Sequence, residues 1–144
     1  ETYPLARHDD LPAHDPRVAL LSCSNYGKPA SVTTERVGDA VAILGRRGVD
    51  FEYDGEMAAD TALNPELMAR LYPFCRLTGP ANVLVMPALH SASIAAKLMQ
   101  EIGGGTVIGP ILLGLEKPVQ IVQMGATADD LVMAAALAAH DAIA

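Results

Sequence analysis

Groups able to hold an anion gather in Ser22-Cys-Ser24-Asn25-Tyr-Gly27-Lys28. Hydroxyls, backbone N–H groups and one lysine suit a phosphate or an acyl carbonyl. The stretch follows an apolar run and precedes a helical pattern, and in open α/β sheets ligands collect beyond the carboxyl ends of strands. An ordinary connecting loop can have the same composition, so spacing alone leaves both readings open. His90, in Pro87-Ala-Leu-His-Ser91, sits just past another apolar run, where it can touch a ligand, cap a helix or face solvent.

Other chemistry-bearing groups read as structural. Asp54, Glu56 and Asp60 follow a strand-like run, yet no partner at diagnostic spacing makes them a metal site or an acid–base pair, so polar structural contacts are the better reading. Gly103-Gly104-Gly105 lies after a helix and before a strand, the reverse of a phosphate-binding loop, and reads as a helix stop. His8-Asp9-Asp10 and His14-Asp15 lack a periodic scaffold that would hold metal ligands together. Glu116 and Lys117 read as a solvated pair, and His140 as an interface residue. Ser22, Ser24 and Ser91 have no motif such as Gly-x-Ser-x-Gly around them. The residues by themselves name no reaction.

The elements that must position these groups alternate. Arg17–Cys23 reads as a buried strand, and Thr33 or Thr34 as the cap of a helix running to Arg47 and ending at Gly48. Val49–Tyr53 reads as a second strand, closed by Asp54-Gly55. Asn64 and Pro65 start a further helix that Pro73 stops. Asn82–Met86 is the cleanest strand, and Ser91 opens a helix through Ile102. Thr106–Leu115 and Val119–Val122 are strand-length apolar runs, and Thr127 caps a final helix. This order predicts an α/β fold, three layers (α/β/α) around a mostly parallel sheet. Residues 1–15, polar and proline-rich, read as an arm or linker ahead of a domain over 16–144. Leu131–Ala139 has almost no polar face, so the last helix calls for burial on more than one side.

Composition narrows the function classes. The 144 residues carry 10 Lys and Arg against 17 Asp and Glu, a formal net charge of -7. Such a chain does not supply the clustered cations that nonspecific nucleic-acid binding needs, and it repels anionic lipid. Half the residues (51%) are apolar and there is no Trp, so the core must come from small and aliphatic side chains. Cys23 and Cys75, within apolar sequence, read as core thiols. No signal peptide or spanning stretch is apparent, and a cytoplasmic protein is expected.

Several blocks, in matching order, resemble the phosphotransacetylase and phosphotransbutyrylase family. They are Pro16-Arg-Val-Ala-Leu-Leu-Ser-Cys-Ser24, Asp54-Gly-Glu-Met-Ala-Ala-Asp60, Gly79-Pro-Ala-Asn-Val-Leu-Val-Met-Pro87, Ile108-Gly109-Pro110 and Lys117-Pro-Val119. Phe51–Asp60, Tyr72–Leu77, His90–Ile94 and Thr106–Pro110 look like a narrower group, the transacetylase-like carboxyl-terminal domain of large bacterial malic enzymes. The resemblance implies the second half of a phosphotransacetylase-like (isopropylmalate dehydrogenase-like) domain, whose last helix packs onto the first half. It implies a coenzyme A cleft lined by Ser22, Ser24, Asn25, Lys28, His90, Gly109, Pro110, Gln123, Met124, Gly125 and Asp130. In the family a Ser-Arg pair precedes that last glycine, whereas here Gln123 and Met124 stand there. The family's Pro-Asp-Leu-Asn is Pro87-Ala-Leu-His90. The resemblance therefore implies acetyl-CoA as an allosteric ligand of a non-catalytic domain. No cofactor is expected in this segment. NADP or NAD and Mg or Mn are expected only in the other parts of a malic enzyme, with that enzyme's core as partner and a homo-oligomer as assembly. An active phosphate acetyltransferase and a structural dimerisation module are the alternatives.

Overall fold

The computed structural model describes residues 15–103, 107–112 and 114–143. The expected arm, apart from Asp15, and Gly104, Gly105 and Thr106 lie outside them. The chain forms two compact units, one ending at Ala95 and the other running from Ala96 to Ala144.

The first unit is built on β1 (Arg17–Leu21), with β2 (Glu52–Met57) and β3 (Val83–Val85) parallel to it on either side. Strand alternation makes β1 the middle of three layers. Val18 and Leu20 pack with Val41, Val37 and Leu44 of α1 (Val32–Arg47). Ala19 and Leu21 pack on the opposite side with Met57, Ala62, Met68 and Leu77. Ala62 lies in α2 (Ala59–Leu63) and Met68 in α3 (Pro65–Leu71). The expected α/β/α layering and parallel sheet are present. Met57 is fully buried (0% exposed) at the centre of the second cluster. Met57→Ala is expected to cost about 2–5 kcal/mol, the usual range for emptying a packed methionine site, read as a drop in the denaturant midpoint at constant slope.

Local chemistry moved several boundaries. The cap of α1 is Ser31, two and three residues ahead of the expected Thr33 and Thr34: its hydroxyl accepts from the Thr34 backbone N–H, and Thr34 Oγ1 accepts from the Ser31 N–H (2.8 Å). Gly48 ends the helix with φ 63, as expected. Asn64 and Pro65 start α3 as expected, with Asn64 Oδ1 accepting from Glu66 and Leu67. The short α2 ahead of them was not anticipated. Strand β2 passes through Asp54-Gly55 rather than closing there.

In α4 (Leu89–Gly103) the helix begins two residues before the expected Ser91, whose hydroxyl instead donates to the Ala88 carbonyl. The runs 107–112 and 119–122 are not strands. Gly109 and Gly114 have φ 138 and 78, and Pro110 and Pro118 offer no N–H to a ladder, so the backbone lacks the regularity that pairing requires. α5 (Ala128–Asp141) carries the expected Thr127 cap, closed by Asp130. Leu131, Val132 and Met133 are exposed on it, so the burial its sequence calls for is not met within these residues. Among the described residues no helix is long and apolar enough to cross a membrane.

Candidate functional site

The loop after β1 folds back as a two-residue hairpin. Asn25 and Lys28 exchange backbone hydrogen bonds (3.2 and 3.1 Å), and the residues between them, Tyr26 and Gly27, have φ 50 and 82. Positive φ at both central positions marks the primed turns, in which Gly27 suits the second place and Tyr26 takes the first without glycine's freedom. Ser22 donates its N–H to Met57 O (2.9 Å), and Asn25 Oδ1 receives the Ala58 N–H (2.8 Å), so both ends of the loop are tied to the exit of β2.

Glu56 closes the loop from below. It is 3% exposed, and its Oε2 accepts from the Ser24 hydroxyl (2.6 Å) while Oε1 accepts from the Gly27 N–H (2.5 Å). Its carbonyl takes the Tyr26 N–H (2.9 Å). In the sheet, Leu20 faces Gly55 and Leu21 faces Met57, so the register skips Glu56 at an irregularity. A shallow groove of about 330 Å³ lies against this arrangement, lined by Tyr26, Gly27, Thr34, Gly38, Gly55 and Glu56 among others.

Asp54 organises the other side. Its oxygens accept from the Tyr26 hydroxyl (3.1 Å), the N–H groups of Gly55 (2.9 Å) and Arg76 (2.8 Å), and the Arg76 guanidinium (3.0 Å). Burial pushes its carboxyl up, but the N–H groups of Arg76 and Gly55 and the guanidinium outweigh it and hold the group below the ordinary range. The Tyr26 phenol moves the other way, raised by burial, by its contact with Cys75 and by the Asp54 charge. The Tyr26 ring packs on Tyr72 and Phe74 (centroids 5.3 and 4.7 Å), and the Arg76 guanidinium lies 4.8 Å from the Tyr53 ring centre. Burial also raises the half-buried Cys75 thiol, away from the thiolate that reactivity needs. Cys23 is exposed, contrary to its expected core position.

The structure thus gathers Ser22, Ser24, Asn25 and Lys28 in one loop of the first unit. Ser24 is buried on Glu56, whereas Lys28 is exposed. His90 is exposed in the first turn of α4. Gly109, Pro110, Gln123, Met124, Gly125 and Asp130 belong to the second unit. There Gln123 and Met124 project into solvent ahead of α5, and Asp130 receives the Thr127 N–H and hydroxyl (2.8 Å each), which keeps its carboxyl low. The polar structural role expected of Asp54 and Glu56 is what the structure shows. Their specific attachment to Tyr26 and the hairpin was not anticipated, although Ser24–Pro29 is the expected loop. Among the described residues no group of three or more His, Cys, Asp or Glu side chains stands close enough to hold a metal.

A parallel sheet covered on both faces, with a polar loop at the carboxyl end of its central strand, is the layout of an α/β domain whose ligands collect beyond the strand ends. The chain belongs to the phosphate acetyl/butaryl transferase family, whose model matches residues 6–139. It is 63% identical over 127 residues to an NADP-dependent malic enzyme of Rhizobium meliloti (strain 1021), matching 88% of this chain and 17% of that protein. It is 37% identical over 129 residues to a phosphate acetyltransferase of Bacillus subtilis (strain 168), matching 90% of this chain and 40% of that protein. A phosphotransacetylase from Streptococcus pyogenes has the same fold, with a TM-score of 0.84 at 37% identity over 90% of this chain and 40% of that one. The chain therefore spans well under half the length of these relatives.

Proposed function

We propose that this chain is part of a non-catalytic acetyl-CoA-sensing domain of a malic enzyme, whose other parts oxidatively decarboxylate malate to pyruvate. The observation that carries the reading is the exposed Gln123-Met124 pair, standing where the resemblance places Ser and Arg, in a chain 63% identical to an NADP-dependent malic enzyme. An arginine is a permanent cation with planar donors suited to phosphate and to developing charge, whereas methionine offers neither. In the first unit the loop Ser22–Lys28 and His90 are the proposed ligand contacts; in the second, Gly109-Pro110 and Gln123–Gly125 are proposed from the resemblance alone, with Asp130 fixing the start of α5. Acetyl-CoA acts by binding one of two conformational states more tightly, which requires a coupling free energy and no turnover. NADP or NAD and Mg or Mn are assigned to regions of the enzyme outside this chain. A cytoplasmic homo-oligomer is the proposed setting.

A working phosphate acetyltransferase is the second reading, favoured by 37% identity to such an enzyme across 90% of the chain. The test is calorimetric titration of the intact polypeptide with acetyl-CoA, beside an assay for acetyl phosphate formed from acetyl-CoA and phosphate. Saturable binding with no acetyl phosphate is the expected result. Steady acetyl phosphate production would overturn the sensor reading in favour of the enzyme.

A further inference from the structure

We infer that Glu56 is the positioning residue of the ligand loop, fixing the hairpin that presents Lys28 to an anionic ligand. The inference rests on the reading above that this loop contacts acetyl-CoA. A buried carboxylate is expensive, and here it has no cationic partner: among the described residues no Lys or Arg forms an ion pair with it. An apolar side chain of similar size would serve packing at lower cost. What the carboxylate does instead is receive two donors from the loop, Ser24 Oγ and Gly27 N, while its own carbonyl receives a third, Tyr26 N. Those bonds fall on the residues whose backbone most needs holding. Tyr26 at φ 50 occupies the left-handed region, which a non-glycine residue adopts only at a cost. Lys28 follows directly, exposed at the end of the turn. Removing the Glu56 carboxylate charge frees the turn to relax, and the lysine loses its fixed origin.

Electrostatics alone predicts the opposite sign, which makes the inference sharp. Glu56→Gln removes a negative charge near a polyanionic ligand, so a simple field effect would tighten binding. Positioning predicts weaker binding. The experiment is calorimetry of the intact polypeptide with acetyl-CoA for wild type, Glu56→Gln, Ser24→Ala and Lys28→Ala, and for Glu56→Gln in the Lys28→Ala background. Amide hydrogen exchange at Gly27 is read alongside. Glu56→Gln is expected to raise Kd about tenfold, the scale of one lost hydrogen bond to a charged group, with faster exchange at Gly27. Ser24→Ala, a milder change that keeps the fold, is expected to raise it severalfold. In the Lys28→Ala background the Glu56→Gln effect should largely vanish, because the group it positions is gone; general structural damage would persist there. Unchanged or tighter binding by Glu56→Gln and Ser24→Ala overturns the inference while leaving the site reading intact. Absence of acetyl-CoA binding by the wild type overturns both.

Discussion

Gly55→Ala is expected to destabilise the protein by about 3–5 kcal/mol, placing it in the exceptional tail of single substitutions. Gly55 has φ 147, a conformation essentially reserved for glycine, and a Cβ there would stand 2.6 Å from the Leu20 carbonyl oxygen and 3.1 Å from Leu20 Cβ. The obstacle is backbone in the central strand, so no side-chain rotation relieves it. The strain would fall where β2 pairs with β1, one residue before Glu56 and one after Asp54. Loss of fold and loss of the Ser22–Lys28 hairpin should therefore go together. Gly38→Ala is the matched control: Gly38 lies within α1 and a Cβ there meets nothing within 4 Å. Its exchange should instead stabilise by about 0.5–1 kcal/mol, the ordinary helical gain. Thermal melts of the two variants should thus shift in opposite directions from wild type. A Gly55→Ala melt within a degree or two of wild type would mean that β2 does not run as described.

Much of this layout is written in local chemistry. Asn64-Pro65 and Thr127 act through their own neighbours, so the starts of α3 and α5 are legible from sequence. The apolar run at 17–23 declares a strand covered on both faces, because it is apolar at consecutive rather than alternating positions. The departures arise where neighbouring hydroxyls compete or where a distant partner decides. Ser31 captures the α1 cap because Thr34 reciprocates, although Thr33 and Thr34 looked equally suitable. β2 runs on past Asp54-Gly55, a pair that usually signals a turn, because β1 pairs with it through Met57. Beyond Ile108 the apolar composition suggested strands, but composition cannot supply a neighbouring strand, and prolines and positive-φ glycines interrupt the backbone.

The candidate site was legible in outline only. Ser22 to Lys28 stood out because hydroxyls, a glycine and a lysine follow a strand. What burial does to each group was invisible: Ser24 turns inward to Glu56, while Cys23 beside it faces solvent. Asp54 and Glu56 read as members of one acidic cluster, yet Glu56 holds Ser24 and the backbone of the turn while Asp54 takes the Tyr26 hydroxyl and Arg76. Gln123 and Met124 enter the proposal through the family resemblance alone, since nothing in their own neighbourhood marks those positions as chemical.

Asp54→Ala is expected to cost about 3 kcal/mol, most of it from donors left without an acceptor. The Tyr26 hydroxyl and the N–H groups of Arg76 and Gly55 lose their partner at a site 3% exposed, while the half-exposed Arg76 guanidinium is rescued by water and adds little. The sign of the pH dependence follows from the two shifts. The Asp54 carboxyl is lower in the folded protein than in the unfolded chain, so its contribution is complete above the unfolded value, about 3.9, and disappears as acid carries the pH down through the folded one. The Tyr26 phenol is higher in the folded protein, so its contribution is complete below about 10 and is lost as the pH climbs beyond it. Wild type should therefore lose stability at both limbs. Asp54→Ala should flatten the acid limb, and Tyr26→Phe the alkaline one, each measured as denaturant midpoint against pH. Because the two groups share a hydrogen bond, Asp54→Ala should also soften the alkaline limb, whereas Tyr26→Phe leaves the Asp54–Arg76 contacts, and so most of the acid limb, in place. An acid limb unchanged by Asp54→Ala would assign acid unfolding to other carboxylates and leave Asp54 without the expected share in acid stability.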